Sequence, residues 1–179
     1  GKLDIAVANT GSNSVSVFRN TSTSGNITFA AKVDFATGTN PQSTTIGDLD
    51  GDGKPELIVV NKSSNNLSIL RNTSVIGTIN FDQKIDKITG NAPFQISIGD
   101  LNGDGKLELL VGNNVGNLKL YAINKTNPNA KFTQYNDFYF MNVLQNKKVL
   151  NYRFGNRVSP AFVNLEGDSV PEILVGISR

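Results

Sequence analysis

An acidic segment at residues 48–56, the first acidic loop, places oxygen-bearing side chains at alternate positions of the chain. Carboxylates stand at its first, third, fifth and ninth positions, and a backbone carbonyl is available at the seventh. These are the donors that a hard cation prefers, and calcium fits better than magnesium because it accepts six to eight flexibly placed oxygens. The predicted calcium ligands are Asp48, Asp50, Asp52, the carbonyl of Lys54 and Glu56.

Four carboxylates are expected to converge here without a compensating base, because the ammonium of Lys54 is expected to point outward. We therefore expect the ion-free loop to repel itself, since like charges a few ångströms apart cost roughly 1 kcal/mol or more per pair. Gly53 stands where the chain must turn sharply with a positive φ. An EF-hand opens similarly, but it requires Glu at its twelfth position, which is Val59 here, and a helix afterwards. The other alternative is an Asp-Gly turn that binds nothing.

A second copy of the motif begins 52 residues later, at residues 100–108, and is called the second acidic loop. Its predicted ligands are Asp100, Asn102, Asp104, the carbonyl of Lys106 and Glu108. Two copies in one register argue against a turn that binds nothing.

A more divergent copy lies near the end of the sequence, with Ser169 in place of the glycine. For this copy, calcium binding and a loop held by hydrogen bonds alone are both open. Its candidate ligands are Asn164, Glu166, Asp168, Val170 and Glu172. At the other end, Asp4 matches the ninth position of a motif whose first residues are not in the sequence. We therefore expect the chain to be part of a longer one.

The elements that carry these loops are predicted to be short β-strands. Residues 1–22 and 53–74 align without a gap, with 11 of 22 positions identical, so the chain repeats every 52 residues. Runs rich in Ile, Leu, Val and Thr at residues 43–47, 56–60 and 67–71 alternate with clusters of Gly, Asn, Ser and Asp. Residues 56–60 are continuously apolar, as in a strand covered on both faces. Asn13 and Asn65 stand where tight hairpin turns are needed.

Composition excludes several classes of site. The chain has no Cys and no His, so disulfides, zinc sites with nitrogen or sulfur ligands, thiol nucleophiles and His-based triads are absent. Its 17 Lys and Arg residues against 15 Asp and Glu give a net charge of +2, which is too balanced to indicate nucleic acid or a membrane surface as partner. No stretch of the sequence is long and apolar enough for a transmembrane helix.

The first acidic loop with its flanking strands, residues 46–61, and its copy at residues 98–113 resemble the FG-GAP/VCBS-type repeats of integrin-α-like β-propellers. The resemblance weakens over residues 130–157. It implies an all-β fold with four-stranded antiparallel blades, and calcium in the loop between the first two strands of a blade. About three and a half blades are expected, as part of a larger propeller. The implied units are residues 1–40 (lacking the first strand), 41–91, 92–156 and 157–179 (incomplete).

The resemblance also implies a bacterial protein that is secreted or displayed on the cell surface. We expect a non-enzymatic calcium-binding module for adhesion, ligand binding or scaffolding. Its partners would be an unknown extracellular protein or carbohydrate and flanking blades of a longer chain. One alternative is a segment with a purely structural role in a large adhesin. Another is a non-catalytic or catalytic propeller part of a secreted polysaccharide lyase. In the catalytic case the candidate residues would be Tyr135, Tyr139, Lys147, Tyr152, Arg153 and Arg157.

Overall fold

The protein, seen in a computed structural model, forms antiparallel β-sheets. The structure describes residues 2–101, 103–122, 133–134, 157–163 and 172–177. This part of the chain contains thirteen strands and no helix, and hence no helix that could span a membrane. The prediction of an all-β, antiparallel fold is confirmed.

The strands group into four sheets, and each strand pairs with its sequence neighbour. Sheet one contains β1 (Ile5–Asn9), β2 (Ser14–Phe18) and β3 (Val33–Ala36). Sheet two contains β4 (Pro41–Gly47), β5 (Glu56–Asn61), β6 (Asn66–Leu70) and β7 (Ile85–Ile88). Sheet three contains β8 (Pro93–Gly99), β9 (Glu108–Asn113), β10 (Leu118–Ala122) and β11 (Thr133–Gln134). Sheet four contains β12 (Val158–Val163) and β13 (Glu172–Ile177).

Asparagines close the hairpins between β1 and β2 and between β5 and β6. Asn13 and Asn65 have φ values of 53° and 54°, which confirms the predicted turns. Their carbonyls accept hydrogen bonds from the backbone N–H groups of Thr37 and Thr89, at 3.0 and 2.9 Å. Each turn therefore holds the chain segment that leaves its sheet and leads to the next one.

Successive sheets stack face to face, and β5 shows why its sequence is continuously apolar. Leu57 and Val59 pack against Val15 and Val17 of sheet one. The intervening residues, Ile58 and Val60, pack against sheet three. Because strand side chains alternate between faces, both faces of β5 are buried, as predicted. Each such side chain contributes about 1.5–3 kcal/mol to the stability of the stack.

The stack continues from sheet three to sheet four, but with a closer backbone approach. Leu110 and Leu118 pack against Val158 of β12. A Cβ added to Gly112 would lie 2.1 Å from the carbonyl oxygen of Val158. Gly112 is paired with Gln95 as Val60 is paired with Ser43, so it occupies the position of Val60 in the next repeat. Glycine is required here because no side chain fits between the two sheets.

The same connection carries an acidic loop in both complete repeats. The first loop joins β4 to β5, and the second joins β8 to β9. At the opposite end of sheet two, Asn61 donates to Ser68 at 2.9 Å and Ser68 donates to Asp86 at 2.7 Å. The two ends of sheet two are therefore fixed by different polar groups.

Candidate metal centre

The first acidic loop is folded around the carboxylate of Asp48. Its Oδ1 accepts a hydrogen bond from the backbone N–H of Gly51 at 2.7 Å, and its Oδ2 accepts one from Gly53 at 3.0 Å. Both glycines have positive φ, 75° and 83°. Asp48 therefore holds the sharp turn that the sequence predicted at Gly53.

Glu56 is the buried residue of the loop, with only 3% of its surface exposed. Its Oε2 accepts a hydrogen bond from the backbone N–H of Leu49 at 2.8 Å. Its Oε1 is buried and has no hydrogen-bond partner. The backbone N–H of Asn72 lies close enough to favour the carboxylate, without reaching good hydrogen-bond geometry. A buried carboxylate oxygen without a partner is costly unless a cation occupies its neighbourhood.

Burial raises the pKa of the Glu56 carboxyl above its ordinary value, and the charges of Asp50 and Asp52 raise it further. The bond from Leu49 opposes this shift but does not cancel it. The charged form of Glu56 is thus disfavoured as long as no cation contacts its carboxylate.

Three of the predicted ligands converge. One carboxylate oxygen from each of Asp48, Asp50 and Glu56 lies within 4.8 Å of the other two. These three oxygens are close enough together for a single cation to lie between them. The residues present therefore fit the ion that their chemistry predicts.

Asp52, the predicted ligand at the fifth position, is not part of this cluster. Its Oδ1 accepts a hydrogen bond from the backbone N–H of Lys54 at 2.9 Å, and its Oδ2 accepts one from Nη2 of Arg71 at 3.1 Å. Nε of Arg71 also lies 3.0 Å from Oδ2 of Asp50. The expectation of a loop without a compensating base is therefore wrong, because Arg71 bridges two of its four carboxylates.

Arg71 was not identified as part of the site from the sequence, although a signal for it exists. β5 and β6 pair with Leu57 opposite Leu70, so the residue after Leu70 lies beside Glu56 at the mouth of the loop. If residues 56–71 are paired as a β-hairpin in this register, Arg71 is predicted to lie beside the first acidic loop.

The described residues of the second acidic loop repeat the main hydrogen bonds of the first. Asp100 Oδ1 accepts hydrogen bonds from Gly103 at 2.8 Å and Asp104 at 3.1 Å, and its Oδ2 accepts one from Gly105 at 2.8 Å. Glu108, 5% exposed, accepts one from Leu101 at 2.8 Å. Burial raises the pKa of Glu108, and the charges of Asp104 and Asp100 add to the shift.

The basic partner of the second loop comes from the loop itself. Nζ of Lys106 lies 3.3 Å from Oδ2 of Asp104, and the backbone N–H of Lys106 donates to Oδ1 at 2.9 Å. Since Leu109 pairs with Tyr121 as Leu57 pairs with Leu70, the counterpart of Arg71 is Ala122. No guanidinium stands at this position of sheet three.

Several predicted residues lie outside the described part of the chain. These are Asn102, Asn164, Glu166, Asp168 and Val170, together with the enzyme candidates Tyr135, Tyr139, Lys147, Tyr152 and Arg153. Glu172 is placed only as the first residue of β13.

Two other residues singled out in the sequence are described. The guanidinium of Arg157 lies 5.4 Å from the ring centre of Phe94, a cation–π contact. Asp4 Oδ1 accepts a hydrogen bond from the backbone N–H of Asn20 at 2.7 Å.

The chain was compared with known protein families, and the result agrees with its 52-residue repeat. No curated protein matches the chain. The model of the FG-GAP-like repeat matches it twice, over residues 1–59 and 48–111. The second match begins on the first acidic loop and contains the whole second one. The two matches together span residues 1–111 of the 179, and the chain therefore belongs to the FG-GAP-like repeat family.

Proposed function

We propose that this chain is a calcium-binding, non-catalytic part of an extracellular β-propeller, in which each acidic loop holds one calcium ion. The proposal depends mainly on the surroundings of the Glu56 carboxylate. Its buried Oε1 has no partner, while its carboxylate lies in one cluster with those of Asp48 and Asp50. A divalent cation at this cluster would compensate the buried charge and the repulsion that raise the pKa of Glu56.

The donors of both loops favour calcium over magnesium. Asp48, Asp50 and Glu56 converge, while Asp52 and Lys54 lie on the exposed rim of the loop. A partly solvated loop of this kind adapts to variable coordination numbers, whereas magnesium demands a near-ideal octahedron. Oxygen donors recur at the same positions of the second loop, namely Asp100, Asn102, Asp104, the Lys106 carbonyl and Glu108. A third site at residues 164–172 is proposed on its sequence alone.

The ion would act as a clip within a blade. Each loop joins the first two strands of a four-stranded sheet, so a cation bound by its two ends would hold those strands in register. The four stacked sheets would be blades of a propeller that needs further blades to close. Extracellular calcium is abundant enough to fill even weak sites, and the ligand of the module would be a protein or carbohydrate bound by its surface loops.

The decisive test is a thermal melt of the chain with calcium, with magnesium and with chelator. At calcium concentrations 100-fold above Kd, each occupied site should add about 2.7 kcal/mol to the free energy of unfolding. Replacement of both loop-leading carboxylates, Asp48→Ala with Asp100→Ala, should remove this calcium-dependent gain. Asp82→Ala is the matched control, because Asp82 is an exposed carboxylate outside the loops.

The relevant readout is the difference between the calcium and chelator melts. Asp48 and Asp100 also hold their loops by hydrogen bonds, so their loss destabilises the ion-free protein as well. Equal melting temperatures with calcium and with chelator, together with no bound ion by mass spectrometry, would refute the proposal.

A further inference from the structure

We propose that Arg71 is a built-in competitor of calcium, which lowers the affinity of the first acidic loop and holds that loop in shape when no ion is bound. This inference rests on the proposed calcium site. It assigns a regulatory role to a residue outside the ligand set.

The geometry places the guanidinium on two predicted ligands. Nε lies 3.0 Å from Oδ2 of Asp50, and Nη2 lies 3.1 Å from Oδ2 of Asp52. Calcium would need oxygens of the same two carboxylates. Asp52 contacts Arg71 and lies outside the cluster that Asp48, Asp50 and Glu56 form, whereas Asp50 contacts Arg71 and belongs to that cluster.

The ion pairs of Arg71 with Asp50 and Asp52 can readily be replaced by calcium. The side chains of Arg71, Asp50 and Asp52 are 53%, 39% and 32% exposed, so water can solvate the guanidinium once it leaves. Exposed ion pairs of this kind are weak. Arg71 would therefore reduce calcium affinity without preventing binding, and it would return to the two carboxylates when the ion dissociates.

The second loop shows the same charge balance without the competitor. Four carboxylates with Lys54 and Arg71 give the first loop a formal charge of −2. The second loop has three carboxylates and Lys106, which also give −2. It carries the neutral Asn102 where the first loop has Asp50, and Ala122 where the first loop has Arg71. Arg71 and one of its two carboxylate partners, Asp50, are thus replaced together.

The test measures calcium binding by titration calorimetry at low ionic strength, in an Asp100→Asn, Asp168→Asn background that leaves the first loop as the one intact proposed site. Replacement of Arg71 by a neutral side chain of similar length, Arg71→Met, should tighten calcium binding roughly three- to tenfold, the Coulomb effect of one charge on a divalent ion a few ångströms away. The matched control is Arg19→Met. Arg19 occupies the same repeat position 52 residues earlier, where the sequence holds only the last residues of such a loop, and its loss should leave the affinity unchanged.

The converse variant tests the second loop. In an Asp48→Asn, Asp168→Asn background, Ala122→Arg should weaken calcium binding at the second loop by a similar factor. If Arg71→Met fails to fold, as judged by circular dichroism, Arg71→Gln and Ala122→Arg decide the question. An unchanged or lower affinity in the Arg71 variants would overturn the inference, whereas no calcium binding by any variant would overturn the proposed function itself.

Discussion

The two acidic loops occupy the same place in successive sheets, yet they balance their charge with different residues. The first loop uses a guanidinium from the far end of the β5–β6 hairpin, since Arg71 contacts Asp50 and Asp52. The second uses a residue of its own, since Lys106 contacts Asp104. In both, a buried glutamate accepts a backbone hydrogen bond from the residue after the leading aspartate.

This comparison distinguishes the residues that both repeats share from those that differ between them. The turn glycines, the leading aspartate and the buried glutamate are common to both loops, and these groups shape the backbone. The residues that set the local charge differ. The two loops should therefore share one backbone conformation and differ in calcium affinity.

The largest expected effect concerns the sheets that carry the loops. Gly112→Ala would place a Cβ 2.1 Å from the carbonyl oxygen of Val158, and we expect a loss of about 3 kcal/mol or more, because backbone must move to relieve the contact. Chemical denaturation measures this loss. The control is Gly11→Ala, since nothing lies within 4 Å of a Cβ at Gly11. Equal stability of the two variants would mean that sheets three and four are not packed as described.

The second prediction compares the turns themselves. Gly53 and Gly105 have φ of 83° and 77°, and open space surrounds a Cβ at either position. Gly53→Ala and Gly105→Ala should therefore each cost about 1–2 kcal/mol through left-handed backbone strain alone. Denaturation of the chelated protein measures both. A clear difference between the two losses would show that the loops do not share one backbone shape.

Much of the shared architecture could be predicted from the sequence, because it depends on local rules. Alternating carboxylates, the glycine at the sixth position and the asparagine turns each follow from residue type and spacing. The continuous apolar run of β5 indicated burial on both faces. What could not be predicted depends on contacts distant in sequence. Arg71 reaches the loop only through the β5–β6 pairing, and Gly112 is explained only by the position of β12.

The third prediction converts one loop into the other. Asp50→Asn alone should weaken calcium binding at the first loop about tenfold, because it removes a ligand charge and leaves Arg71 in place. Asp50→Asn with Arg71→Met reproduces the charges of the second loop. In this background Arg71→Met should tighten calcium binding less than it does in the wild type, because the guanidinium has already lost its charged partner at residue 50. Calorimetry on the four proteins of this cycle gives the coupling between the two residues. Strictly additive effects would contradict the view that Asp50 and Arg71 act as a pair.

The smallest effect concerns the feature that the loops have in common. The folded pKa of Glu56 is raised, so its ionised form costs the calcium-free protein stability at neutral pH. Glu56→Gln keeps an acceptor for the N–H of Leu49 and should slightly stabilise the chelated protein. This advantage should shrink as pH falls through the raised pKa and vanish below the ordinary pKa, where wild-type Glu56 is protonated in both states.

Glu108→Gln should behave in the same way, because burial raises the pKa of Glu108 too. With calcium present the sign should reverse, since a neutral amide cannot replace the charge that the ion attracts. Thermal melts at several pH values, with calcium and with chelator, measure both signs. If Glu56→Gln destabilises the chelated protein at neutral pH, then Glu56 stabilises the fold without an ion, and the main support for a cation at this position is lost.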